Sequence, residues 1–372
     1  MRIATFNVEN LFDRAKALDS ADWSVGRPAL EAHARLSTLL EEPTYTKVVK
    51  DEIIELLAVL ELTRDDEGPF ALLRQNRQRL LRRPQGGGVE VIAEGRGAWI
   101  GWVELTTEPV DELAMQHAAQ VITDVDADVL GVVEAESRIA LKRFCDAGVL
   151  LDERPRYPHV MLVDGNDERG IDVGVLTKAR YPLQRLISHV DDVDSAGSVF
   201  SRDCPEYQFH TPSGERLVVL VNHLKSKGFG RQSDNDTRRR RQATRIAELY
   251  RRLRADGVRF VAVVGDLNDT PGGEPLRPLL AQTDLVDVVE HPNFTPDPNG
   301  RPGTFGNGTA GQKIDYVLLS PALFERVTGG LIFRKGVWGG TRGTLFPHYE
   351  TMTSAVHAAS DHAALYADID LG

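Results

Sequence analysis

The sequence has few cysteines, no long apolar run and no overall excess of positive charge. Among its 372 residues, Cys145 and Cys204 are too few for a disulfide framework and too far apart for the close pairs of a zinc site. No stretch approaches the roughly 20 apolar residues that span a bilayer, so no membrane span is predicted. Met1–Asn7 lacks the apolar core and cleavage site of a secretory signal, and we therefore expect a cytoplasmic protein.

The charge balance argues against a uniformly basic nucleic-acid-binding protein. The formal net charge is −11, whereas proteins that bind nucleic acid tightly usually carry a basic surface. Residues 221–254 are the exception, with eleven Lys or Arg against three Asp or Glu. The 41% hydrophobic and 27% charged fractions are ordinary for a globular chain, and nothing in the sequence indicates a protein partner.

From about residue 111 onward the sequence pattern is typical of an α/β protein. Helices are predicted over 112–124 and 237–254, the second with Asp236 as its N-cap. Short apolar runs predict strands covered on both faces. The predicted strands comprise 1–12, 129–133, 172–176, 216–221, 260–264 and 314–319.

Residues 13–110 follow a different pattern. Apolar residues from Val49 to Leu60 recur with helical spacing, and a second helix is predicted between Phe70 and Leu81. A break at 86–88 and a predicted strand over 98–106 follow. We interpret 13–110 as a mainly helical insertion or divergent segment, either a packing decoration or a lid over the substrate.

Polar residues recur where the apolar runs end. Each position alone is equally typical of turn chemistry at a strand end, or of a buried histidine satisfied by its neighbours. Ligands gather outside strand ends in layered sheet proteins, so the joint occurrence of these residues predicts a catalytic site. The positions comprise Glu134, Asn222, His223, Asp266, Asn268, Asp315, Asp361 and His362.

Six segments, taken together and in this order, resemble the endonuclease/exonuclease/phosphatase superfamily, closest to its bacterial nuclease-like branch. The segments are 4–10, 128–134, 222–227, 265–269, 313–318 and 360–362. The resemblance covers 1–12 and 111–372 and implies one domain over 1–372. The implied fold is deoxyribonuclease I-like, a four-layer α/β/β/α sandwich with two packed mixed β-sheets.

The resemblance implies a divalent metal site. Glu134 and Asp361 would hold the cation, with Asn7 as a further oxygen ligand. Carboxylate and amide oxygens are ligands that suit Mg²⁺ or Mn²⁺. The cofactor is therefore expected to be one of these two ions.

The resemblance also implies roles in catalysis for five residues. Asp266 would position or deprotonate the attacking water, and Asn268 would donate a hydrogen bond to the phosphate. Asp315 would orient His362, as a carboxylate orients the imidazole of other acid–base dyads. His223 would bind the phosphate or protonate the leaving oxygen.

The predicted substrate contacts are Arg169, Asn222 and Lys225. The run 238–241 consists of four arginines that either track a phosphate backbone or form a solvated helix face. The segment 169–174 lacks the Tyr that apurinic-site nucleases carry, which argues against an abasic-site specialist. Because of the resemblance to the nuclease-like branch and this arginine run, nucleic acid is the expected substrate and a nuclease the expected activity.

Two other functions stay open at this point. One is a phosphatase or phosphodiesterase acting on a small phosphorylated metabolite or a lipid headgroup. The other is a non-enzymatic binding protein, which is disfavoured because every expected reactive position is filled. Arginines at 238–241 and between Arg74 and Arg83 would favour a long polyanion if they flank the site, whereas an insertion that walls off the pocket would favour a small substrate.

Overall fold

A computed structural model describes residues 1–9, 11, 13–18, 23–146, 157–167, 169–228 and 231–371. Two compact units are present: Met1–Phe12 with Val110–Gly372, and Asp13–Pro109. Seven α-helices lie in the described ranges: α1 Trp23–Leu40, α2 Lys47–Val59, α3 Glu112–Val125, α4 Arg138–Asp146, α5 Gln232–Ala255, α6 Arg277–Leu280 and α7 Pro321–Phe324. None of these helices is long and apolar enough to cross a membrane.

The strands follow in chain order. The first ten are β1 Arg2–Asn7, β2 Asp13–Ala15, β3 Ala71–Arg77, β4 Leu81–Arg82, β5 Glu90–Val91, β6 Ile100–Leu105, β7 Thr107–Pro109, β8 Val129–Ala135, β9 His159–Val163 and β10 Asp172–Thr177. The others are β11 Arg185–Ile187, β12 Val193–Asp194, β13 Gly197–Ser198, β14 Glu206–His210, β15 Arg216–His223, β16 Phe260–Asp266, β17 Val286–Asp287, β18 Asp315–Leu319, β19 Val327–Phe333 and β20 Ala364–Ile369.

The larger unit contains two six-stranded mixed sheets. In the first sheet the order is β19-β20-β1-β8-β10-β9, and β1 pairs with β8 in parallel. In the second sheet the order is β11-β14-β15-β16-β18-β17, and β15 pairs with β16 in parallel. The other pairings within these two sheets are antiparallel.

Alternating side chains along these strands build three apolar layers. Inward residues such as Val133 and Val173 of the first sheet meet Val219 and Val264 of the second sheet in a shared core. Residues on the other face of the first sheet pack with α3 and α4, and residues on the other face of the second sheet pack with α5. The unit is therefore the expected four-layer α/β/β/α sandwich, with each helix burying one apolar stripe.

The strands predicted in the larger unit are confirmed, with small changes at their ends. β1 ends at Asn7 rather than continuing to 12. The helix predicted over 237–254 begins earlier, at Gln232, so the N-cap predicted at Asp236 is wrong. The Asp236 carboxylate instead accepts hydrogen bonds from Gln232 and Arg239 within the helix. Residues 229–230, shortly before this helix, lie outside the described part of the chain.

The smaller unit, Asp13–Pro109, has its own buried core. α1 and α2 pack together, and the long pair β3·β6 adds a two-stranded sheet. Trp99 is 2% exposed and donates from Nε1 to the Tyr45 hydroxyl at 3.1 Å. The His33 ring lies 2.9 Å from the Val103 carbonyl oxygen. The unit is thus organised around buried aromatic and aliphatic residues.

The helix predicted between Phe70 and Leu81 is wrong. Ala71 and Leu73 are both buried and alternate with more exposed neighbours, which is the period of a strand, and Leu73 lies opposite Val103 of β6. The segment 13–109 is therefore mixed α and β rather than mainly helical. Its arginines pair with local carboxylates: Arg74 with Glu104, Arg82 with Glu90 and Arg83 with Asp66.

Candidate active site

Strand pairing brings three of the predicted catalytic residues side by side on the second sheet. His223 lies opposite Asp266, and Asp266 lies opposite Asp315. Gly265 precedes Asp266 with a φ of +129°, and a β-carbon there would stand 1.9 Å from the carbonyl oxygen of Asn222. Only glycine suits that backbone and that close approach, so Gly265 is the residue that lets β16 end beside β15.

His362 and Asp315 form the predicted dyad. His362 Nδ1 lies 2.8 Å from Asp315 Oδ2, and both side chains are buried. The Ser360 hydroxyl oxygen accepts from the His362 backbone N–H at 2.9 Å, and the Phe305 ring centroid lies 4.9 Å from that of the imidazole. These contacts fix the ring and leave Nε2 directed at Asp266, whose Oδ2 is 3.9 Å away.

Asp266 is the centre of the arrangement. Its Oδ2 lies 3.6 Å from His223 Nε2 and accepts from Asn268 Nδ2 at 3.0 Å. Its Oδ1 accepts from the Asn268 backbone N–H at 2.8 Å. His223 Nε2 also lies 3.6 Å from Glu134 Oε1, so residues from both sheets meet here.

The three titratable groups differ in their electrostatics. Burial, with Asp315 nearby, raises the pKa of Asp266 to about 7. Burial alone would lower the pKa of His362, but Asp315, Asp361 and Asp266 together raise it well above its ordinary value. Burial and the guanidinium groups of Arg202 and Arg169 lower the pKa of His223. At neutral pH His362 is therefore the protonated imidazole and His223 the neutral one.

Three residues at the site have left-handed backbones. The φ angles are +51° at Glu9, +67° at Glu134 and +54° at Asn268. Such values are uncommon outside glycine and tend to occur at functional sites, where the surrounding fold maintains them. Glu9 and Asn268 each lie two residues past the end of a strand, whereas Glu134 lies within β8, one residue before its end.

Oxygen ligands gather at the ends of β1 and β8 and near the start of β20. Burial, then the carboxylates of Glu9 and Glu134, raise the pKa of Asp361 well above its ordinary value, as expected when like charges crowd together. Asn7 is buried, and its Nδ2 has no hydrogen-bond partner in the described structure. A crowded set of carboxylates beside an amide fits a hard divalent cation.

Glu9 was missed in the sequence although it lies inside the first motif, two residues after Asn7. Its Oε2 accepts from the Asp361 backbone N–H at 3.0 Å, and its own N–H donates to Asn7 Oδ1 at 3.0 Å. The spacing Asn-x-Glu at a strand end was the available signal. Asn10 of the same motif lies outside the described residues.

A second set of donor atoms, from Asp266, Asp315 and His362, lies within 4.8 Å of one another. Two of these groups already bind each other, because His362 Nδ1 and Asp315 Oδ2 are 2.8 Å apart. A cation at this place would compete with that bond. The second set is therefore also suited to acid–base chemistry, and the oxygen set around Asp361 is the other candidate for a cation.

The predicted substrate contacts fall in two places. Arg169 forms a two-point ion pair with Asp167, at 2.9 and 2.8 Å, and contributes to the field at His223. Lys225 follows β15, and burial, then the charges of Arg169 and Arg202, lower the pKa of its amino group. Asn222 instead donates to the Leu220 carbonyl oxygen, and strand alternation places it on the opposite face from His223. The substrate contact predicted for Asn222 is not supported by this orientation.

The arginine run on α5 is not a continuous phosphate track. Three of its members contact carboxylates: Arg239 with Asp236 and Asp269, Arg240 with Glu274, and Arg241 with Asp194. Arg239 is fully buried and also donates to the Lys225 carbonyl oxygen at 2.7 Å. Neutralised or buried guanidinium groups cannot follow a polyanion, so Arg238 is the remaining member for such a role.

Arg239→Met is expected to lower the free energy of unfolding by roughly 3 kcal/mol. The substitution removes the buried cationic partner of Asp269 and the donor to the Lys225 carbonyl oxygen, and it leaves Asp269 paired only with the half-exposed Lys227. Urea unfolding followed by circular dichroism measures this loss. Arg240→Met on the same helix is the matched control. Its partner Glu274 is exposed, so the expected change is below about 1 kcal/mol. Equal effects of the two substitutions would contradict a structural role for Arg239.

The comparisons with known proteins identify a family and a fold. The sequence profile described as "Endonuclease/Exonuclease/phosphatase family" matches residues 109–362. A Bacteroides thetaiotaomicron protein described by the same family name is similar in structure, with 17% identity over 70% of this chain and 88% of that chain and a TM-score of 0.52. A mannosyl-6-phosphatase from Bacteroides thetaiotaomicron VPI-5482 has 16% identity over 70% and 92% and a TM-score of 0.51. No curated protein sequence matches the chain significantly.

Proposed function

Because the chain belongs to the endonuclease/exonuclease/phosphatase family, whose members hydrolyse phosphoric esters, we propose that it is a divalent-metal-dependent phosphodiesterase acting on nucleic-acid strands. One observation carries the proposal. Polar atoms of His223, Asp266 and the Asp315–His362 dyad lie within 4 Å of their neighbours in this group. The group lies beside Glu134, a carboxylate from the other sheet.

Asn7, Glu9, Glu134 and Asp361 would hold Mg²⁺ or Mn²⁺. Such a cation polarises a phosphoryl oxygen and stabilises the charge that develops on it. A phosphate beside this set would lie within reach of both imidazoles, because Glu134 is 3.6 Å from His223 and Asp361 is 3.7 Å from His362. The residues themselves then supply the base and the hydrogen-bond donors.

Each catalytic side chain has a distinct task. Asp266, with a pKa of about 7, is suited to accept the proton of the attacking water near neutral pH. Asn268 holds that carboxylate in place through two hydrogen bonds. His362, kept protonated by Asp315, can donate from Nε2 to the phosphate or the leaving oxygen. His223 is neutral and better suited to hydrogen-bond the phosphate than to act as a cationic acid.

A small phosphorylated substrate is the second candidate. The observation that favours it is the neutralisation of Arg239, Arg240 and Arg241 by carboxylates, which removes most of the extended cationic surface expected for a long polyanion. The remaining positive charge is concentrated close to His223.

Incubation with Mg²⁺ or Mn²⁺ should give cleavage of plasmid DNA, RNA or bis(p-nitrophenyl) phosphate, and EDTA should abolish it. Gel electrophoresis and nitrophenolate release measure the products. Activity that persists unchanged in EDTA would contradict metal dependence. Rapid turnover of a small phosphomonoester, with both nucleic acids left intact, would select the second candidate.

A further inference from the structure

Four cationic side chains from four separate elements converge next to the proposed active site. They are Arg169 before β10, Arg202 before β14, Lys225 after β15 and Arg238 on α5, and they are called the cation cluster below. Asp167 contacts two of them, at 2.8 Å from Arg169 Nη2 and 3.0 Å from Arg202 Nε. Lys225 is anchored through its backbone N–H, which donates to the Gln242 side-chain oxygen at 2.9 Å.

The cation cluster is joined directly to the catalytic residues. The carbonyl oxygen of Leu224 accepts from Arg202 Nη1 at 3.5 Å and from Asn268 Nδ2 at 3.2 Å. The Leu224 N–H donates to the backbone oxygen of Asp266 at 2.9 Å. Leu224 directly follows His223 in the chain. A group bound by Arg202 would therefore lie next to the residues that would hold the scissile phosphate.

Two guanidinium groups of the cation cluster have buried N–H groups without a hydrogen-bond partner among the described residues. Arg202 is 1% exposed, and its Nη2 has no hydrogen-bond partner in the described structure. The Nε of Arg238 is also buried and lacks a partner among the described residues. A buried guanidinium with unsatisfied N–H groups is costly, and an anion in its plane would satisfy it.

The electrostatics agree with this geometry. Burial, then Arg169 and Arg202, lower the pKa of Lys225 to about 8. Burial, then the charge of Arg169, lower the pKa of Arg202 even though Asp167 opposes the shift. Asp172 is the next carboxyl in this region, and burial raises its pKa to about 7, which leaves it partly protonated at neutral pH. Positive charges thus repel one another here and would be stabilised by a bound anion.

We propose that the cation cluster binds a second phosphoryl group of the substrate, adjacent to the one that is hydrolysed. Guanidinium groups form paired hydrogen bonds with phosphate oxygens, and Lys225 adds a point charge. The inference rests on the proposed phosphodiesterase function and specifies its substrate class. A flanking phosphate of a nucleic-acid strand and the second phosphate of a small bisphosphate are two sources of this chemistry.

The test compares substrates that differ by one phosphate. For strands, the pair is the thymidine dinucleotide with and without a 5′-phosphate or a 3′-phosphate. For small molecules, it is fructose 1,6-bisphosphate against fructose 6-phosphate. With Mg²⁺ present, the phosphorylated member of at least one pair should show at least a tenfold higher kcat/KM. The pair that shows the preference identifies the source.

Arg238→Gln and Lys225→Met should reduce that preference to within about twofold of unity, as measured by the ratio of the two kcat/KM values. Arg240→Gln is the matched control, because Arg240 lies two residues further along α5 and its charge pairs with Glu274. This variant should keep both the preference and the rate. Because the readout is a ratio, a general loss of activity in a variant does not mimic the effect.

Equal turnover of both members of each pair would overturn the second-phosphate site while leaving the phosphodiesterase function intact. A preference that survives in both variants would also overturn it. Absence of turnover for every substrate, including bis(p-nitrophenyl) phosphate with Mg²⁺ or Mn²⁺, would reject the proposed function and the inference that depends on it.

Discussion

Asp266→Asn is expected to lower kcat by about 10³-fold or more, because the substitution removes the carboxylate that would accept the proton of water. The amide has the same shape and can still accept the Asn268 backbone N–H through Oδ1. The KM for the substrate should change much less than kcat. Steady-state hydrolysis of bis(p-nitrophenyl) phosphate with saturating Mg²⁺ measures both constants.

Stability distinguishes a chemical role from misfolding. Burial of Asp266 raises its folded-state pKa to about 7 from 3.8, so the fold favours the protonated form. Its contribution to stability is full at low pH and is lost as the pH rises through 7. Asp266→Asn should therefore unfold at an equal or higher urea concentration than wild type at pH 8 in EDTA. A variant that is both inactive and unfolded would not support the assigned role, and one that is fully active would refute it.

A carboxylate outside the site provides the control. Asp284 accepts a hydrogen bond from the Tyr250 hydroxyl on α5, and Asn can accept the same bond. Asp284→Asn should keep kcat within about twofold of wild type. A similar loss of rate in both variants would show that the assay responds to any lost carboxylate.

Glu134→Gln and Asp361→Asn are expected to weaken Mn²⁺ binding by at least about tenfold and to lower activity accordingly. Neutral amides are weaker ligands for a hard cation than carboxylates, and loss of groups that only support a ligand already costs 10-fold to 100-fold. Isothermal titration of the metal-free protein with Mn²⁺ measures the affinity directly. Excess Mn²⁺ should partly restore the rate.

Asp315→Asn tests which of the two sets of donor atoms holds the cation. It should lower activity because His362 loses the partner of Nδ1, yet leave Mn²⁺ affinity close to that of wild type. Loss of Mn²⁺ binding in Asp315→Asn, with normal binding in Asp361→Asn, would instead assign the cation to Asp266, Asp315 and His362.

The family resemblance was sufficient to predict the two-sheet fold. Apolar runs predicted the strands that position the site residues from Asn7 to Asp315, whereas β20, which follows His362, was not predicted. Buried strands such as β8 and β16 contain continuous apolar runs that are followed by a polar residue. This pattern predicts both the strand and the position of its functional group. The edge strands β11 and β17 were not predicted, because they are only two or three residues long and have no repeating pattern.

Other features depend on tertiary contacts that no local pattern encodes. Arg202 lies in the connection between β13 and β14, and its burial against Asp167 and the Leu224 carbonyl oxygen arises only when separate elements meet. The first turns of α5 are highly polar, so periodicity alone places the helix start too late. In the smaller unit, the pairing of β3 with β6 overrides a sparse helical spacing.

The pairing of β1 with β20 has a consequence for biosynthesis. Arg2 lies opposite Asp368, so neighbours in space are separated by almost the whole chain, and the two strands adjoin Asn7 and Asp361 respectively. During translation a nascent chain that has emerged only as far as β19 lacks Asp361, His362 and the central strand that joins β19 to β1. Such sequence-distant pairing is slow to form, so the candidate site is completed only after β20 has emerged and paired with β1.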